Sequence, residues 1–360
     1  MSEPVGVLPS QAIAGMIERG AIRATEPIPE EQIQPASLDL RLGRVAYRVR
    51  ASFLPGDGTV EDRLPTFSMH EISLDGGAVL EKGCVYLVPL MESLALPPSI
   101  DAVANAKSST GRLDLFTRLI CDRGEEFDRI DAGYEGPLWA EISPRSFSVL
   151  VRPGLRLNQI RFRQGKAELD DAALAALHAE TTLVDVPAHI DAGLGFSVDL
   201  RPAEGSIVGY RAKPHTALID LDKIGHYEVP EFWEEVHASD GRIILDPGAF
   251  YILVSREAVH VPPDHAAEMA PYLAMVGEFR VHYAGFFDPG FGHAGAGGSG
   301  SRGVLEVRCH EAPFALEHGQ IVGRLVYEKM AERPAKLYGA DMGSNYQGQG
   351  LKLSKHFRMG

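Results

Sequence analysis

The chain has 360 residues, long for one compact domain and in keeping with about two. With 45% hydrophobic and 23% charged residues, and 38 Gly and 24 Pro scattered without period, it has the means to build a sizeable core and is neither collagen-like nor one long disordered linker. A formal net charge of −14 argues against a long nucleic-acid partner, whose phosphates need a positive surface, but allows a small phosphorylated ligand held by a few local cations.

In chain order, the N-terminus MSEPVGVLPSQ lacks the basic and apolar regions of a signal peptide. The first element is a helix, with Ser10 as N-cap, Ile13, Met16 and Ile17 at helical spacing, and Gly20 closing it. Beyond this helix the chain reads mostly as strands. Residues 146–152 (SFSVLVR) place Phe147, Val149 and Val151 on one face, and Ile160 and Phe162 alternate with Arg161 and Arg163. Residues 168–181 (ELDDAALAALHAET) read as a short amphipathic helix or linker, and 291–303, rich in Gly and Ser, as a flexible hairpin extension. No apolar run nears the roughly 18 residues of a membrane span. Cys84, Cys121 and Cys309 are isolated, which fits a reducing compartment. The expectation is a soluble, cytoplasmic protein.

The chain also repeats itself. LEKGCVYLVPLMESLALPPSIDA from Leu80 matches LDPGAFYILVSREAVHVPPDHAA from Leu245, 165 residues on. The same shift aligns Gly83 with Gly248, Glu141 with Glu306, Gly154 with Gly319 and Phe162 with Tyr327. The openings echo as well: QPASLDLRLG from Gln34 and GLGFSVDLRP from Gly193. One shift fitting separated landmarks indicates duplication.

Zinc deaminases need H-x-E with P-C-x-x-C to acidify the attacking water. His226-Tyr227-Glu228 meets the first pattern, but the chain has no C-x-x-C, so a zinc site of that type is excluded. Gly295 to Gly300 spells G-x-G-x-x-G, yet a strand-like VLEV comes after it where a dinucleotide fold needs a helix, so it reads as a glycine loop. In AKSSTGRL (106–113), two hydroxyls flanked by Lys107 and Arg112 suit phosphate oxygens, although alone the motif equally describes a solvated polar turn. RIDAGYEG (129–136) then leads into Trp139-Ala140-Glu141-Ile142. A glutamate in so apolar a strand either faces solvent or is held for acid–base work.

QPASLDLRLG, AKSSTGRL, RIDAGYEG, WAEI and PGLRLNQIRF, with YQGQG from Tyr346, occur in an order that resembles the dCTP deaminase branch of the dUTPase-like superfamily. The resemblance covers most of 1–165, returns more weakly over 188–330 and ends with the tail. It implies a mainly β fold: two tandem distorted β-barrel or jelly-roll-like domains with a few short helices. The expected layout is a catalytic first domain at 1–165, a helical linker at 166–187, a motif-degraded second domain at 188–330, and a tail at 331–360 that closes over the nucleotide. The implied assembly is a homo-oligomer, a trimer favoured, with no membrane partner.

By position, the resemblance places Lys107, Ser108, Ser109 and Arg112 on the triphosphate, with Arg129 adding a contact and Asp131 approaching the deoxyribose. Tyr338 and Gln349 match residues that close over the bound nucleotide. Glu141 matches the catalytic glutamate, which passes protons between a water, N3 and the departing amine of dCTP to give dUTP and ammonia. The family binds its triphosphate with Mg²⁺, no protein side chain ligating the metal, and without zinc. The second copy has lost KSSTGR but keeps Asp288 and Glu306, while the first puts Phe127 where the family commonly has Ala and carries extra residues at 121–126. Glu141 is the expected base. A composite site using Glu306 is the alternative. Other readings left open are a dUTP pyrophosphatase or bifunctional enzyme, with Asp131 activating a water, and a regulatory relative that binds nucleotide without turnover.

Overall fold

Pro9, extended, precedes the first helix, which runs Ser10–Glu18, and Gly20 ends it in the left-handed region (φ 75°). Ser10 is therefore the first helical residue and not the cap; its N–H is satisfied by Pro35 O (2.9 Å). The computed structural model describes residues 4–201, 206–271, 279–282, 285–294, 299–339 and 350–358. As expected, the fold is mainly β, with short helices.

The chain divides into two compact units. The first comprises Met1–Lys166 with His215–Ile224, the second Ala167–Pro214 with Gly225–Gly360. In the first, strand Arg156–Gln164 is central to one sheet, between Ile100–Ala106 on one side and Gly6–Val7 and Leu38–Arg41 on the other. The other sheet runs Ser68–Ser73, Val45–Val49, Val85–Ala95, Glu135–Pro144, Leu115–Cys121. The second unit repeats the plan. Ile321–Lys329 pairs with His265–Pro271 and Leu194–Ser197, and a five-stranded sheet runs Trp233–Val236, Gly209–Ala212, Phe250–Val259, Ser301–Cys309, Phe279–His282. The predicted apolar faces hold, since Phe147, Val149, Val151, Ile160 and Phe162 are all buried. Arg161, expected on the polar side, is 0% exposed, so both faces of its strand are enclosed.

Three boundaries differ from the sequence reading. The linker belongs to the second unit: helix Asp171–Glu180, capped by Asp170, buries Leu174 in that unit's core beside Leu183 and Val184. Of the expected tail at 331–360, the described residues 331–339 and 350–358 also belong to the second unit. Tyr338 N–H donates to Pro289 O (2.8 Å), and Phe357–Arg358 pairs in parallel with Tyr227–Glu228, Phe357 lying among Tyr227, Phe232 and Trp233. The predicted hairpin extension is pinned at its base, where Phe291 is core and Gly300 N–H meets Gly292 O (2.8 Å); a Cβ at Gly292 would strike Val259 O.

The third difference is His215–Ile224, placed in the second copy by sequence but part of the first unit. Strand Ile219–Asp220 pairs in parallel with Val149–Val151, and Arg152 bonds Asp220 (2.7 Å) and Asp222 (2.6 Å). That hydrogen bond is the main reason the Asp220 carboxyl sits below its ordinary value, desolvation opposing it. A depressed carboxyl stabilises the fold above its unfolded pKa of about 3.9, and the contribution is lost as pH falls through the lower folded value. Amide exchange in 215–224, corrected for intrinsic rates, should therefore be unchanged from pH 7 to 5 and accelerate below pH 4. Equal protection at pH 3 and pH 6 would refute this.

Candidate functional site

The segment 107–114 is a tightly built turn. Lys107, extended, leaves strand Ile100–Ala106, and Ser108–Gly111 make one helical turn whose Thr110 and Gly111 N–H groups return to Lys107 O (2.8 and 3.0 Å). Asp114, left-handed at φ 52°, accepts from Ser146 Oγ (2.6 Å) through its side chain and from Arg145 N through its carbonyl (3.0 Å). Ser109 and Arg112 are 8% and 3% exposed, and Ser108 is half-buried. Two hydroxyls and a guanidinium are thus held in one turn at little further entropic cost, an arrangement suited to an anion with several oxygens. Lys107 is engaged elsewhere: its Nζ bonds the buried Asp39 carboxylate, which also has Arg156 at 3.8 Å.

Arg129 and Asp131 lie at the surface. Arg129 pairs with Glu126 (3.3 Å) and Asp131 (3.6 Å), and the Asp131 side chain is 88% exposed. Tyr338 sets its ring 5.6 Å from that of Phe291 at a tilt of 47° and packs against the second core, beside the Asp288-Pro289-Gly290 turn. Gln349 and the YQGQ motif lie outside the described residues.

Glu141 lies in strand Glu135–Pro144, opposite Leu87 on one neighbour and Arg118 on the other, and is 2% exposed. Its Oε1 accepts from Arg118 Nε (3.1 Å) and Nη2, while Oε2 is buried with no hydrogen-bond partner. The Arg118 guanidinium lies 3.4 Å from the centre of the Phe127 ring and donates to Ser52 Oγ (2.9 Å). Glu306 takes the same place in the second unit, opposite Ile252, the 165-residue counterpart of Leu87, and it too is buried. Arg118 was not singled out from the sequence. An arginine inside the apolar run LFTRLIC, on the strand beside a buried glutamate, is the signal that points to it.

Among the described residues no three His, Cys, Asp or Glu side chains converge on a metal-sized centre, and the cysteines are free thiols. The phosphate-type turn offers hydroxyl and guanidinium donors, so it fits Mg²⁺ arriving on phosphate oxygens. No described helix is long and apolar enough to cross a membrane.

The fold is duplicated, with a tightly built Ser108–Gly111 turn in the first copy and a buried glutamate at the matching strand position of each. Residues 4–166 match the 2'-deoxycytidine 5'-triphosphate deaminase N-terminal domain and residues 170–357 the C-terminal domain of the same family. The chain belongs to the 2'-deoxycytidine 5'-triphosphate deaminase family, whose members are hydrolytic deaminases. It is similar to the crystal structure of 2'-deoxycytidine 5'-triphosphate deaminase from Agrobacterium tumefaciens, with 58% identity, a TM-score of 0.88 and coverage of 91% of this chain and 99% of that one. A protein of Sulfurihydrogenibium sp. named "dCTP deaminase, dUMP-forming" is 32% identical over 163 residues, which are 43% of this chain and 82% of that protein. The "dCTP deaminase" of Haloarcula marismortui is 30% identical over 172 residues, 46% and 83% of the two chains.

Proposed function

We propose that the chain converts dCTP and water to dUTP and ammonia, with a glutamate as proton shuttle and without zinc. The observation that carries this reading is the buried, anchored Ser109–Arg112 turn in a chain matched along nearly its whole length by the deaminase family. Ser108, Ser109 and Arg112 would hold the triphosphate, and Lys107 would join them by releasing Asp39. Mg²⁺ bound to the triphosphate would screen its charge. The glutamate would take a proton from the attacking water as oxygen bonds to C4 of cytosine. It would deliver that proton to N3, then take the second proton from the new C4 hydroxyl and pass it to the amine, so that C4=O forms as the C4–N bond breaks and ammonia leaves. Tyr338 and Gln349 would close the site, excluding water and strengthening the hydrogen bonds around the tetrahedral carbon. The assembly is proposed as a homo-oligomer in the cytoplasm, a trimer being the simplest symmetric form.

A second reading is favoured by the Sulfurihydrogenibium relative, whose name makes dUMP the product. Asp131, exposed beside Arg129, would be the carboxylate available to activate a water toward the α-phosphate. Product analysis of the purified protein with dCTP and Mg²⁺ separates the two. Ammonia with equimolar dUTP is the expected result. Ammonia with dUMP and pyrophosphate selects the bifunctional reading, and no ammonia at all overturns both.

A further inference from the structure

We propose that Asp39 sets the affinity of the phosphate-type turn: it holds Lys107 until a triphosphate arrives and then exchanges it for Arg156. The inference rests on the reading of 107–112 as the triphosphate seat and deepens it. It names two residues outside the turn that decide how strongly the turn binds.

Strand Arg156–Gln164 runs between Leu38–Arg41 and Ile100–Ala106, and Lys107 is the residue at which the chain leaves the last of these, its N–H on Leu157 O (2.9 Å). The Lys107 side chain reaches across the central strand, so its ammonium is engaged by a carboxylate two strands away. Asp39 is 2% exposed, and only one of its oxygens, Oδ2, takes that bond. Oδ1 is buried with no hydrogen-bond partner. Gln159, directly opposite on the central strand, turns its amide to Asn105 Oδ1 instead (2.8 Å). A buried carboxylate with one bare oxygen is under-satisfied and has room for a further donor.

Arg156 is placed to be that donor. Its Nη1 lies 3.8 Å from Asp39 Oδ2, beyond hydrogen-bond distance. Among the described residues its guanidinium is otherwise held by Glu31, at 3.3 Å from the carbonyl and 3.3 Å from a side chain that is 68% exposed. Contacts so long and so solvated contribute little, so little keeps the planar fork from closing on both Asp39 oxygens. Two cations thus face one carboxylate. Lys107 can leave for phosphate oxygens without stranding a buried charge, which is what makes breaking such a pair costly. With Arg156 removed, the same departure would leave Asp39 unpaired. Asp39 and the phosphate therefore compete for Lys107, and Arg156 decides how easily the exchange runs.

The test is a double-mutant cycle on the full-length protein. It reads KM for dCTP from ammonia release and, as a probe that needs no turnover, the calorimetric Kd of inorganic triphosphate with Mg²⁺. Asp39→Asn should lower both by about tenfold, the gain expected when the binding-competent arrangement stops being a minority of about one molecule in ten. Arg156→Gln should raise both by about tenfold, because release of Lys107 then strands a carboxylate. In the double variant that rise should vanish, since a neutral amide needs no counter-ion. If Asp39→Asn does not fold, Arg156→Gln is repeated in a Lys107→Gln background, where there is no ammonium to release and the rise should again be absent. Unchanged or weaker triphosphate binding by folded Asp39→Asn would overturn the proposal. So would an Arg156 effect that persists in either background, which would make Arg156 a direct phosphate ligand. A wild type that follows this cycle with triphosphate yet releases no ammonia would sink the deaminase reading and leave the proposal standing.

Discussion

Glu92→Ala is expected to destabilise the first unit by about 3–5 kcal/mol, the usual cost of stranding one partner of a buried ion pair. The carboxylate is fully enclosed and takes hydrogen bonds from Arg41 N (2.8 Å), Arg41 Nε (2.7 Å) and Gln32 Nε2 (2.7 Å). Arg41 in turn donates to Pro27 O (3.0 Å) and Glu26 O (2.9 Å), so one glutamate ties strand Val85–Ala95 to the opening strand and to the segment before it. Alanine leaves the Arg41 charge without its counter-ion and Arg41 Nε and the Arg41 backbone N–H buried without an acceptor, and a loss of this size takes much of the 5–15 kcal/mol typical of a domain. Urea or thermal denaturation reads the effect, and Arg41→Met/Glu92→Leu should recover most of it. The duplication supplies a control. Glu257, 165 residues on, accepts from Ser197 N (2.8 Å) and Ser197 Oγ (2.5 Å), with no guanidinium bonded to it among the described residues. Glu257→Ala should cost less, about 1–3 kcal/mol. Equal losses at both positions would mean that the arginine is not what makes Glu92 costly to remove.

The same pair of glutamates shows where the sequence stops being informative. The 165-residue repeat is legible because its landmarks are turn glycines, prolines and a period-two apolar pattern, all set by local geometry. The opening strands echo at an offset of 160 (Asp39 with Asp199, Arg41 with Arg201), yet in the fold Arg41 faces Arg156 and Ser197 faces Ile321, an offset of 156. That register is chosen by Glu92 and Glu257, each drawing in the backbone N–H of one residue, and by a bulge at the same place in both partner strands. Neither cause can be read from a ten-residue echo.

Local reading also misplaces His215–Ile224, because nothing in HTALIDLDKI states which sheet edge it joins; the answer lies in Arg152, more than sixty residues away in sequence. At the site, the hydroxyls and Arg112 of the phosphate-type turn fall where AKSSTGRL suggests, since a one-turn helix after a strand brings them together by itself. Lys107 and Glu141 carry the right chemistry but have partners, Asp39 and Arg118, that reach them only across strands. Residue type and spacing reveal what a side chain can do. They do not reveal what already occupies it.

Arg112→Ala is expected to reduce kcat/KM for dCTP by about 10²–10⁴-fold. A guanidinium bonded to phosphate makes charge-assisted contacts of about 1.5–3 kcal/mol each, two of them in a bidentate pair, at about 1.4 kcal/mol per decade. The turn is already built around this residue: its N–H returns to Ser108 O (3.1 Å) and Leu113 N–H to Thr110 O (3.1 Å), so ligand binding need not order the backbone. Arg112→Lys should recover only part of the loss, because an ammonium supplies charge without the planar fork. The substrate series separates binding from structure. If Arg112 serves the outer phosphates, the ratio of wild-type to variant activity should be large with dCTP and collapse toward one with dCMP. The same ratio for both nucleotides, with Ser109→Ala unaffected, would mean that Arg112 is a buried support of the turn and that the triphosphate is held elsewhere.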